Sequence, residues 1–482
     1  MNKKLVIRIL GAIMVIEGLV MLPSLIMSIF FGDGDMFALI NTMVILIVPG
    51  LLVWFFVKPD KKNLRAKEGF LIVGLGWIIL SIFGAFPLYF SGVLPRFEDA
   101  LFESVSGFTT TGATVITRFD NLPRGIMFWR AFTHWIGGMG VLVLTLALLP
   151  KLTGKTSHLV KAESPGPSMS KLAPKMSDSA KILYAIYLGL TVLEFISLLL
   201  CGLSPYDAAI HAISNAGTGG FSNYSASIAQ FNSVAVEMVI TVFMFLFGIN
   251  FALFYRLLLK DFKSVFHDEE LRWYCALFVV FTVLLSIFIL PVYHNIFTSL
   301  RYAVFQIGSI FSTTGFAAAD YMTWPVAAQA LIFVALFFGA MAGSTAGGLK
   351  TVRIALLAKM GRREITATYN PRKVRVIRLN GEAVDESMLK QIAVFGAVYF
   401  FAVVFGGFLL SLDGKFDLIT HISASLTCVS NVGPGFNVVG PTGSFAGYGV
   451  YGKLLCSFLM LAGRLELFPM FVIFHPAIWR RP

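Results

Sequence analysis

Long apolar runs recur along the chain, and shorter segments rich in Gly, Thr, Ser and Asn lie between several of them. Each long run can cross about 30 Å of hydrocarbon as a helix. The runs occupy residues 5–31, 36–57, 69–93, 125–150, 182–203, 234–259, 272–293, 325–357, 389–412 and 450–475. This pattern predicts an all-α polytopic membrane protein with about ten spans, of which the eighth is interrupted.

Composition supports this class, and charge orients the chain in the membrane. Hydrophobic residues make up 57% and charged residues 13% of the 482 positions, against about 25% charge in a typical soluble domain. An ordinary water-soluble enzyme is therefore excluded. If both termini are cytoplasmic, about 30 of the 38 Lys and Arg fall in segments on the inner side, as the positive-inside rule requires. The net charge of +12 thus reflects topology, and we expect no nucleic-acid partner.

Four of the short polar–apolar segments resemble one another. Each follows about a dozen apolar residues, which predicts a short helix that enters the membrane and stops. The segments read GFTTTGAT (107–114), NAGTGGFS (215–222), FSTTGFAA (311–318) and VSNVGPGF (429–436). In the first two copies, thirteen residues separate Asp99 from Gly112 and Asp207 from Gly220. That register favours Gly220 over Gly219 as the counterpart of Gly112, and the third and fourth copies fit it less well.

The repeat divides the chain into two extra N-terminal spans and four units of span, half-helix and span. The predicted boundaries are 1–68 for the two-span unit, 69–155 for repeat 1, 176–265 for repeat 2, 266–365 for repeat 3 and 385–482 for repeat 4. Four copies in one chain predict a pseudo-four-fold arrangement of the half-helices around a central pore.

The four segments suit a cation pore, because non-helical backbone at membrane depth must be buried in protein or line a water-filled cavity. A ring of carbonyl oxygens can replace the hydration shell of a cation, and the absence of carboxylates favours a weakly hydrated monovalent ion. The candidate ion-binding filter residues are Thr110, Thr111, Gly112, Thr218, Gly219, Gly220, Thr313, Thr314, Gly315, Asn431, Val432 and Gly433. The alternative is that these segments are Gly-rich packing contacts or simple outer loops.

Further motifs accompany the four segments, namely GGFSNYSASI, GSTAGGLKT and GRLELFP. Together with FTTTGAT, STTGF and SNVGPGF, they give essentially the whole chain a resemblance to the Trk/Ktr/HKT superfamily of potassium transporters, most of all to bacterial TrkH-type uptake subunits. The resemblance implies potassium uptake across the bacterial inner membrane by a homodimer, with potassium at the filter and no cofactor. It also implies control by a cytoplasmic nucleotide-binding subunit of the TrkA type. The chain departs from a simple T-T-G pattern at Gly219 and at Asn431–Val432.

The eighth apolar run contains the first of two candidate gates. Gly occupies four of ten positions in GAMAGSTAGG (339–348), and each Gly costs about 1 kcal/mol relative to Ala in a helix interior. The sequence therefore favours a loop, with close helix packing through small residues as the alternative. The resemblance implies an intramembrane gating loop with candidate residues Gly339, Gly343, Gly347, Gly348 and Lys350. Lys350 is expected to reach the cytoplasmic interface.

Arg464 lies inside the last apolar run and is the second candidate gate. A charge at that depth costs at least about 2.5–3.5 kcal/mol, so it normally faces a cavity or a partner. We expect a positive barrier that lines the pore, where the resembling family carries a matching Arg. The alternative is a structural salt bridge to another span, for which Glu466 is a poor partner at only two residues' distance.

The chain carries no catalytic signature such as H-E-x-x-H, a P-loop or G-x-S-x-G, so we expect no enzyme. Two functional hypotheses stay open: a channel-like potassium transporter and a sodium- or proton-coupled potassium symporter. The largest basic patch, residues 353–390, is either a solvated inner loop or a docking surface for a cytoplasmic regulator or an acidic lipid.

Overall fold

The computed structural model describes residues 2–59, 66–140, 176–372 and 375–476. These parts of the chain are mostly helical, as predicted. Their strands form one short antiparallel hairpin, β1 (Arg378–Leu379) and β2 (Glu382–Ala383). The end of the fourth apolar run, residues 141–150, and the remainder of repeat 1 lie outside the described residues.

The α-helices of these ranges are numbered along the chain. They are α1 (Lys3–Val20), α2 (Leu22–Phe31), α3 (Met36–Phe56), α4 (Ala66–Gly84), α5 (Phe86–Phe90), α6 (Phe97–Phe108), α7 (Arg124–Gly138), α8 (Met176–Leu200), α9 (Pro205–Ala216), α10 (Val234–Phe247), α11 (Phe251–Leu258), α12 (Phe262–Phe266), α13 (Glu269–Tyr293), α14 (Ile296–Phe311), α15 (Val326–Ala335), α16 (Thr351–Tyr369), α17 (Glu386–Ser411), α18 (Leu418–Ser430), α19 (Val450–Arg464) and α20 (Phe468–Phe474).

Six helical stretches of the described chain are long and apolar enough to cross a membrane. They are Lys3–Phe31, Met36–Phe56, Glu68–Phe90, Ser179–Leu200, Glu269–Tyr293 and Glu386–Ser411. These stretches coincide with the first, second, third, fifth, seventh and ninth apolar runs. Many of their outward-facing side chains are apolar and exposed, with Phe56 80% exposed and Leu200 84% exposed. Such a surface suits contact with lipid.

Two further runs, predicted as single spans, are broken. The axes of α10 and α11 differ by 93°, and those of α19 and α20 by 120°. A new helix starts at α11 because the Asn250 side chain accepts a hydrogen bond from the N–H of Ala252. Before α20, Glu466 and Leu467 have positive φ values of 54° and 65°, which end α19. The sixth and tenth runs are therefore bent pairs rather than straight spans.

Four short helices, α6, α9, α14 and α18, are the predicted half-helices. They contain 12, 12, 16 and 13 residues, too few to cross a bilayer. Polar caps start two of them: Ser204 accepts from the N–H of Asp207, and Asn295 accepts from two N–H groups of α14. Each half-helix ends in one of the four Gly segments, which we call central loops 1 (109–113), 2 (217–221), 3 (312–316) and 4 (430–434).

Residues 336–350 interrupt the eighth run, as predicted. Helix α15 ends at Ala335 and α16 begins at Thr351, with non-helical backbone between them. We call residues 336–350 the intramembrane loop. Its two ends are tied together, because the N–H of Gly339 donates to the carbonyl of Leu349 at 2.9 Å.

The two N-terminal spans pack through small residues. A Cβ placed on Gly11 of α1 would lie 2.7 Å from Val53 Cγ1, and one on Gly50 of α3 would lie 2.7 Å from Val15 Cγ2. Only glycine permits this close approach of α1 and α3. This unit packs against α4 of repeat 1 and leaves the four repeats to surround the central loops.

Candidate ion pathway

The central loops share two unusual backbone conformations. In each, the residue two positions before the glycine and the glycine itself have positive φ, a region that β-branched residues rarely adopt. The values are 54° and 78° for Thr110 and Gly112, 54° and 76° for Thr218 and Gly220, 57° and 81° for Thr313 and Gly315, and 56° and 101° for Asn431 and Gly433. The repeat is therefore structural in all four copies, and Gly220 rather than Gly219 corresponds to Gly112.

Each half-helix also ends in the same pair of backbone hydrogen bonds. The two residues before the glycine donate to carbonyls of the last helical turn, which is how a left-handed cap satisfies helix ends. The bonds run from Thr110 to Gly107 and Thr111 to Ser106, from Thr218 to Asn215 and Gly219 to Ser214, from Thr313 to Ile310 and Thr314 to Ser309, and from Asn431 to Cys428 and Val432 to Thr427. No hydrogen bond between described residues ends on the carbonyl oxygens of the twelve candidate filter residues. Those oxygens, most of which belong to buried residues, can therefore bind another partner.

The four glycines bring the central loops into a closed ring. A Cβ on Gly112 would lie 1.9 Å from the carbonyl oxygen of the residue before the glycine of loop 2. The successive contacts are Gly112 with Gly219 O at 1.9 Å, Gly220 with Thr314 O at 2.0 Å, Gly315 with Val432 O at 2.0 Å and Gly433 with Thr111 O at 2.6 Å. The loops therefore adjoin in the order 1–2–3–4–1, which confirms the predicted pseudo-four-fold arrangement.

A cavity of about 230 Å³ opens on one side of this ring. All four glycines line it, together with residues that follow the glycines of central loops 1, 2 and 4. Its single lining cation is Arg130, and none of its lining residues is acidic. The cavity is thus a polar vestibule whose floor is the glycine ring.

The side chains two positions before the glycines do not repeat as the backbone does. Thr313 Oγ1 accepts from the N–H of Gly347 at 2.7 Å, and Thr218 Oγ1 donates to the Gly217 carbonyl at 2.7 Å. Asn431 Nδ2 donates to Thr111 Oγ1 at 3.0 Å. These side chains hold the loops in place, while the backbone alone keeps the four-fold repeat.

The intramembrane loop packs on the other side of the ring, against the ends of the half-helices. Besides its bond to Thr313, Gly347 lies so close to loop 4 that a Cβ would come within 2.5 Å of the Ser430 carbonyl oxygen. The loop also crosses the break in repeat 2, because the N–H of Met341 donates to Gly248 O and the N–H of Phe251 to Gly343 O, each at 3.0 Å.

Arg464 ends α19 beside this loop. Its guanidinium donates to the carbonyl of Thr345 at 2.7 Å and to the carbonyls of Gly137 and Gly138 at 2.6 and 2.8 Å. One cation thus joins the intramembrane loop to the end of α7. Nearby Glu466 forms an ion pair with Arg353 of α16.

Lys350 does not reach an interface. Its side chain is 9% exposed and donates back to the carbonyl of Ala346 within the loop. The expectation that Lys350 extends to the cytoplasmic interface is therefore wrong, because the ammonium closes the C-terminal turn of the loop instead. The carboxylate of Glu270 in α13 holds the same region, since Oε1 accepts from the N–H of Ala342 at 2.7 Å and of Val352 at 3.0 Å.

A family model named TrkH and described as a cation transport protein matches residues 35–481. The chain belongs to the TrkH family. It is 35% identical over 493 residues to the Trk system potassium uptake protein TrkH of Halomonas elongata, with 100% of both chains covered. It is also 35% identical over 489 residues to the protein of that name from Escherichia coli, again with 100% of both covered. The crystal structure of the potassium transporter TrkH from Vibrio parahaemolyticus covers 100% of both chains with a TM-score of 0.89 at 32% identity. TrkH-family proteins are transporters, and the chain is not an enzyme.

This TrkH-family chain contains a buried ion pair that its sequence pattern did not predict. Arg130 of α7 pairs with Glu103 of half-helix α6 at 2.6 Å and donates to the carbonyl of Ser222 at 3.1 Å. Glu103 also accepts from the N–H of Val115 at 2.9 Å. The pair therefore fastens repeat 1 to the segment after central loop 2. Two opposite charges in neighbouring apolar stretches were the available signal.

The sequence pattern also predicted one broken helix, whereas the structure has several. In repeats 2, 3 and 4, the helix that follows the central loop stops part-way along its apolar run, at Phe247, Ala335 and Arg464. Only the break in repeat 3 lies in a long Gly-rich stretch. The others have weaker signals, such as Asn250 within an apolar run.

Proposed function

We propose that this chain carries potassium ions into the cell across the cytoplasmic membrane, through the carbonyl ring of the central loops. The relatives are named a potassium uptake protein and a potassium transporter. The observation that supports this proposal best is the closed order of glycine contacts around one axis. The twelve candidate filter residues would supply backbone oxygens to the ion, and both termini would be cytoplasmic.

The electrostatics of the ring favour a monovalent cation. Neutral carbonyl dipoles can replace the water around a weakly hydrated monovalent ion, whereas a divalent ion requires negatively charged ligands. The C-terminal ends of α6, α9, α14 and α18 all point to the ring, and each adds a partial negative charge. The vestibule has no carboxylate that would hold the ion too tightly to leave.

The intramembrane loop and Arg464 form the proposed gate. The loop lies directly against central loops 3 and 4, so an ion that leaves the ring on that side meets it. The Arg464 guanidinium holds the loop at Thr345 and places a positive charge beside the same path. Opening would require the Thr313–Gly347 and Arg464–Thr345 bonds to break.

Rubidium uptake into proteoliposomes tests the filter. Gly112→Ala puts a methyl group 1.9 Å from the Gly219 carbonyl oxygen, and we expect it to lower uptake at least tenfold or to change the rubidium-to-sodium preference. Gly92→Ala is the matched control, because Gly92 has nearly the same φ (76° against 78°) but nothing within 4 Å of its Cβ position. If Gly112→Ala and Gly92→Ala both show wild-type uptake and wild-type ion preference, the filter assignment is contradicted.

A sodium- or proton-coupled symporter is the second candidate function. His134 is buried and lies against central loop 2, where a Cβ on Gly219 would come within 1.3 Å of its Nδ1. This contact places a titratable group beside the proposed path. Imposed sodium and pH gradients across the proteoliposome membrane separate the two functions, because only a symporter accumulates rubidium against its own electrochemical gradient.

We also propose that the chain works as a homodimer under a TrkA-type nucleotide-binding subunit, since its relatives are components of a Trk system. Light scattering of the purified chain in detergent tests the dimer, which requires twice the chain mass. Uptake that responds to nucleotide only when a TrkA-type subunit is added tests the second partner.

A further inference from the structure

A second cavity, of about 260 Å³, lies far from the central loops at the distal half of α16. We call it the basic cavity. Its lining consists of Lys359, Arg362, Arg363, Arg375, Val376, Ile377 and Arg378. Five of these seven residues are cationic and none is acidic, so the cavity concentrates positive charge.

Nearby carboxylates neutralise only two of the five cations. Lys359 pairs with Glu269, and Arg363 pairs with Glu386 and Glu364. No salt bridge to a carboxylate of the described chain involves the other three cations, which are Arg362, Arg375 and Arg378. Three arginines thus line one cavity, and their guanidinium donors are not paired with any carboxylate of the described chain.

The cavity has a defined wall. Ile377 is 5% exposed and packs with the apolar cluster of α16 and α17. Lys359 Nζ donates to the main-chain carbonyl of Arg378 at 2.6 Å, which ties the hairpin to α16. At the hairpin turn, Asn380 Oδ1 accepts from the N–H of Glu269 at 2.7 Å. These contacts fix the side of the cavity formed by Ile377 and Arg378 against α16 and α13.

We propose that the basic cavity binds a phosphate group, with an anionic phospholipid as its favoured source. Arginine forks match phosphate oxygens geometrically, and arginines that pair with no carboxylate can bind the singly charged phosphodiester of such a lipid through several hydrogen bonds. Basic pockets at the cytoplasmic ends of membrane helices recognise lipid headgroups in this way.

Apolar exposure beside the cavity favours the lipid as the source. Arg362, Ile365 and Tyr369 recur at three- and four-residue spacing and share one face of α16. Ile365 is 68% exposed and Tyr369 72% exposed. Val376 in the cavity wall is 59% exposed. A phospholipid can place its phosphate among the guanidinium groups and its acyl chains on these side chains.

The position of the cavity connects it to the intramembrane loop. Helix α16 begins where that loop ends, and roughly 16 Å of helix separates Thr351 from Arg362 at 1.5 Å per residue. A ligand that restrains the distal half of α16 therefore restrains the anchor of the loop. This mechanical consequence rests on the proposed gate, whereas binding itself does not.

Native mass spectrometry of the full-length purified chain tests the site without measuring ion flux. Palmitoyl-oleoyl phosphatidylglycerol is titrated against phosphatidylcholine of the same chains. The variant is Arg362→Gln/Arg375→Gln/Arg378→Gln, for which we expect about fivefold weaker retention of phosphatidylglycerol per charge removed, on the order of 100-fold in total. Arg372→Gln is the matched control, because Arg372 belongs to the same basic segment but does not line the cavity.

A second arm distinguishes the source of the phosphate. Inorganic pyrophosphate that displaces phosphatidylglycerol from the wild type but not from the triple variant supports the phosphate site and shows that soluble anions reach it. Equal retention of phosphatidylglycerol by wild type, triple variant and Arg372→Gln overturns the proposal, whatever the uptake assay gives. Arg375→Gln alone serves in place of the triple variant if the latter does not fold, with the same two outcomes.

Discussion

Thr313 and Thr110 occupy equivalent positions in two central loops, with φ values of 57° and 54°. Their hydroxyl groups differ in what they contact. Thr313 Oγ1 accepts from the N–H of Gly347, whereas Thr110 Oγ1 has no hydrogen-bond partner among the described residues. Thr313→Val keeps the shape of the side chain but leaves a buried N–H unpaired, which costs about 1–3 kcal/mol. We therefore expect faster hydrogen exchange in residues 339–350 and a lower Tm.

Thr110→Val is the comparison for this effect, because it makes the same chemical change at the same left-handed backbone position without removing a bond to the loop. Hydrogen–deuterium exchange by mass spectrometry and thermal unfolding should separate the two variants. If both variants loosen residues 339–350 equally, the Thr313–Gly347 bond does not hold the loop.

Arg464 combines a positive charge with hydrogen bonds to three carbonyls at 2.6 to 2.8 Å. Arg464→Gln removes the charge and gives a shorter side chain with fewer hydrogen-bond donors. Arg464→Lys keeps the charge but loses the planar guanidinium geometry. Since a hydrogen bond from a charged group contributes about 1.5–3 kcal/mol, we expect Arg464→Gln to raise rubidium uptake roughly tenfold and Arg464→Lys to raise it less. Uptake per folded protein in proteoliposomes measures both.

The comparison of the two variants also identifies the cause. Wild-type uptake in Arg464→Lys assigns the barrier to charge, and equal uptake in both variants assigns it to the lost carbonyl contacts. Arg464→Gln that folds normally and transports at the wild-type rate would remove Arg464 from the gate.

At the scale of elements, Glu270 clamps the intramembrane loop from α13. A single oxygen accepts from the N–H of Ala342 and of Val352, one inside the loop and one just after it. Glu270→Leu leaves both donors unpaired, which costs about 1–3 kcal/mol for each. We expect a Tm several degrees lower and higher basal uptake. Glu270→Gln has a side chain of the same length and retains an acceptor oxygen. Its Tm and its basal uptake should therefore stay much closer to those of the wild type.

The result for Glu270→Gln decides what the clamp consists of. If Glu270→Gln is as damaging as Glu270→Leu, then the negative charge matters rather than the two hydrogen bonds. If Glu270→Leu behaves as the wild type does, the loop is held by its other contacts.

The elements differ in how far the sequence could predict them. Length and hydropathy predicted the straight spans and the half-helices, because lipid requires continuous apolar helix and the Gly segments repeat. The breaks after Phe247 and Arg464 were not predicted, since hydropathy records that a segment is buried but not its direction. A 93° bend at Asn250 and a 120° bend at Glu466 leave the apolar pattern unchanged. The positive φ of Thr110 depends on tertiary packing, which no local propensity favours.

At the scale of the whole molecule, four similar repeats must close in one order. The seams between them are chemically different. Between repeats 2 and 3, Glu237 of α10 pairs with Arg301 of α14 at 2.6 Å. Between repeats 4 and 1, the polarity is reversed, because Lys453 of α19 pairs with Asp99 of α6. Glu237 and Lys453 are both the fourth residue of their helices, so a wrong neighbour would place like charges or unmatched groups together.

The sequence predicted that four copies exist but not which copies touch. Repeated half-helices have similar apolar faces, and hydrophobic burial does not distinguish one neighbour from another. The charged residues at equivalent helix positions carry that information, and they are recognisable only once the contact between α10 and α14 is known. We therefore expect these two polar seams to help specify the order of the ring.

A double-mutant cycle at the seam between repeats 2 and 3 tests whether the charged pair there couples the two repeats. Arg301→Gln strands the carboxylate of Glu237, which is 3% exposed, and removing one partner of a buried pair costs about 3–5 kcal/mol. Glu237→Gln/Arg301→Gln removes both charges, so we expect a Tm above that of Arg301→Gln alone, and Glu237→Arg/Arg301→Glu should recover part of the remainder. Lys453→Gln should cost less, because it leaves Asp99 at 16% exposure with access to water. Additive losses of Tm around the cycle would mean that the Glu237–Arg301 pair is uncoupled, and the order of the repeats would then have to come from the close glycine contacts of the ring itself.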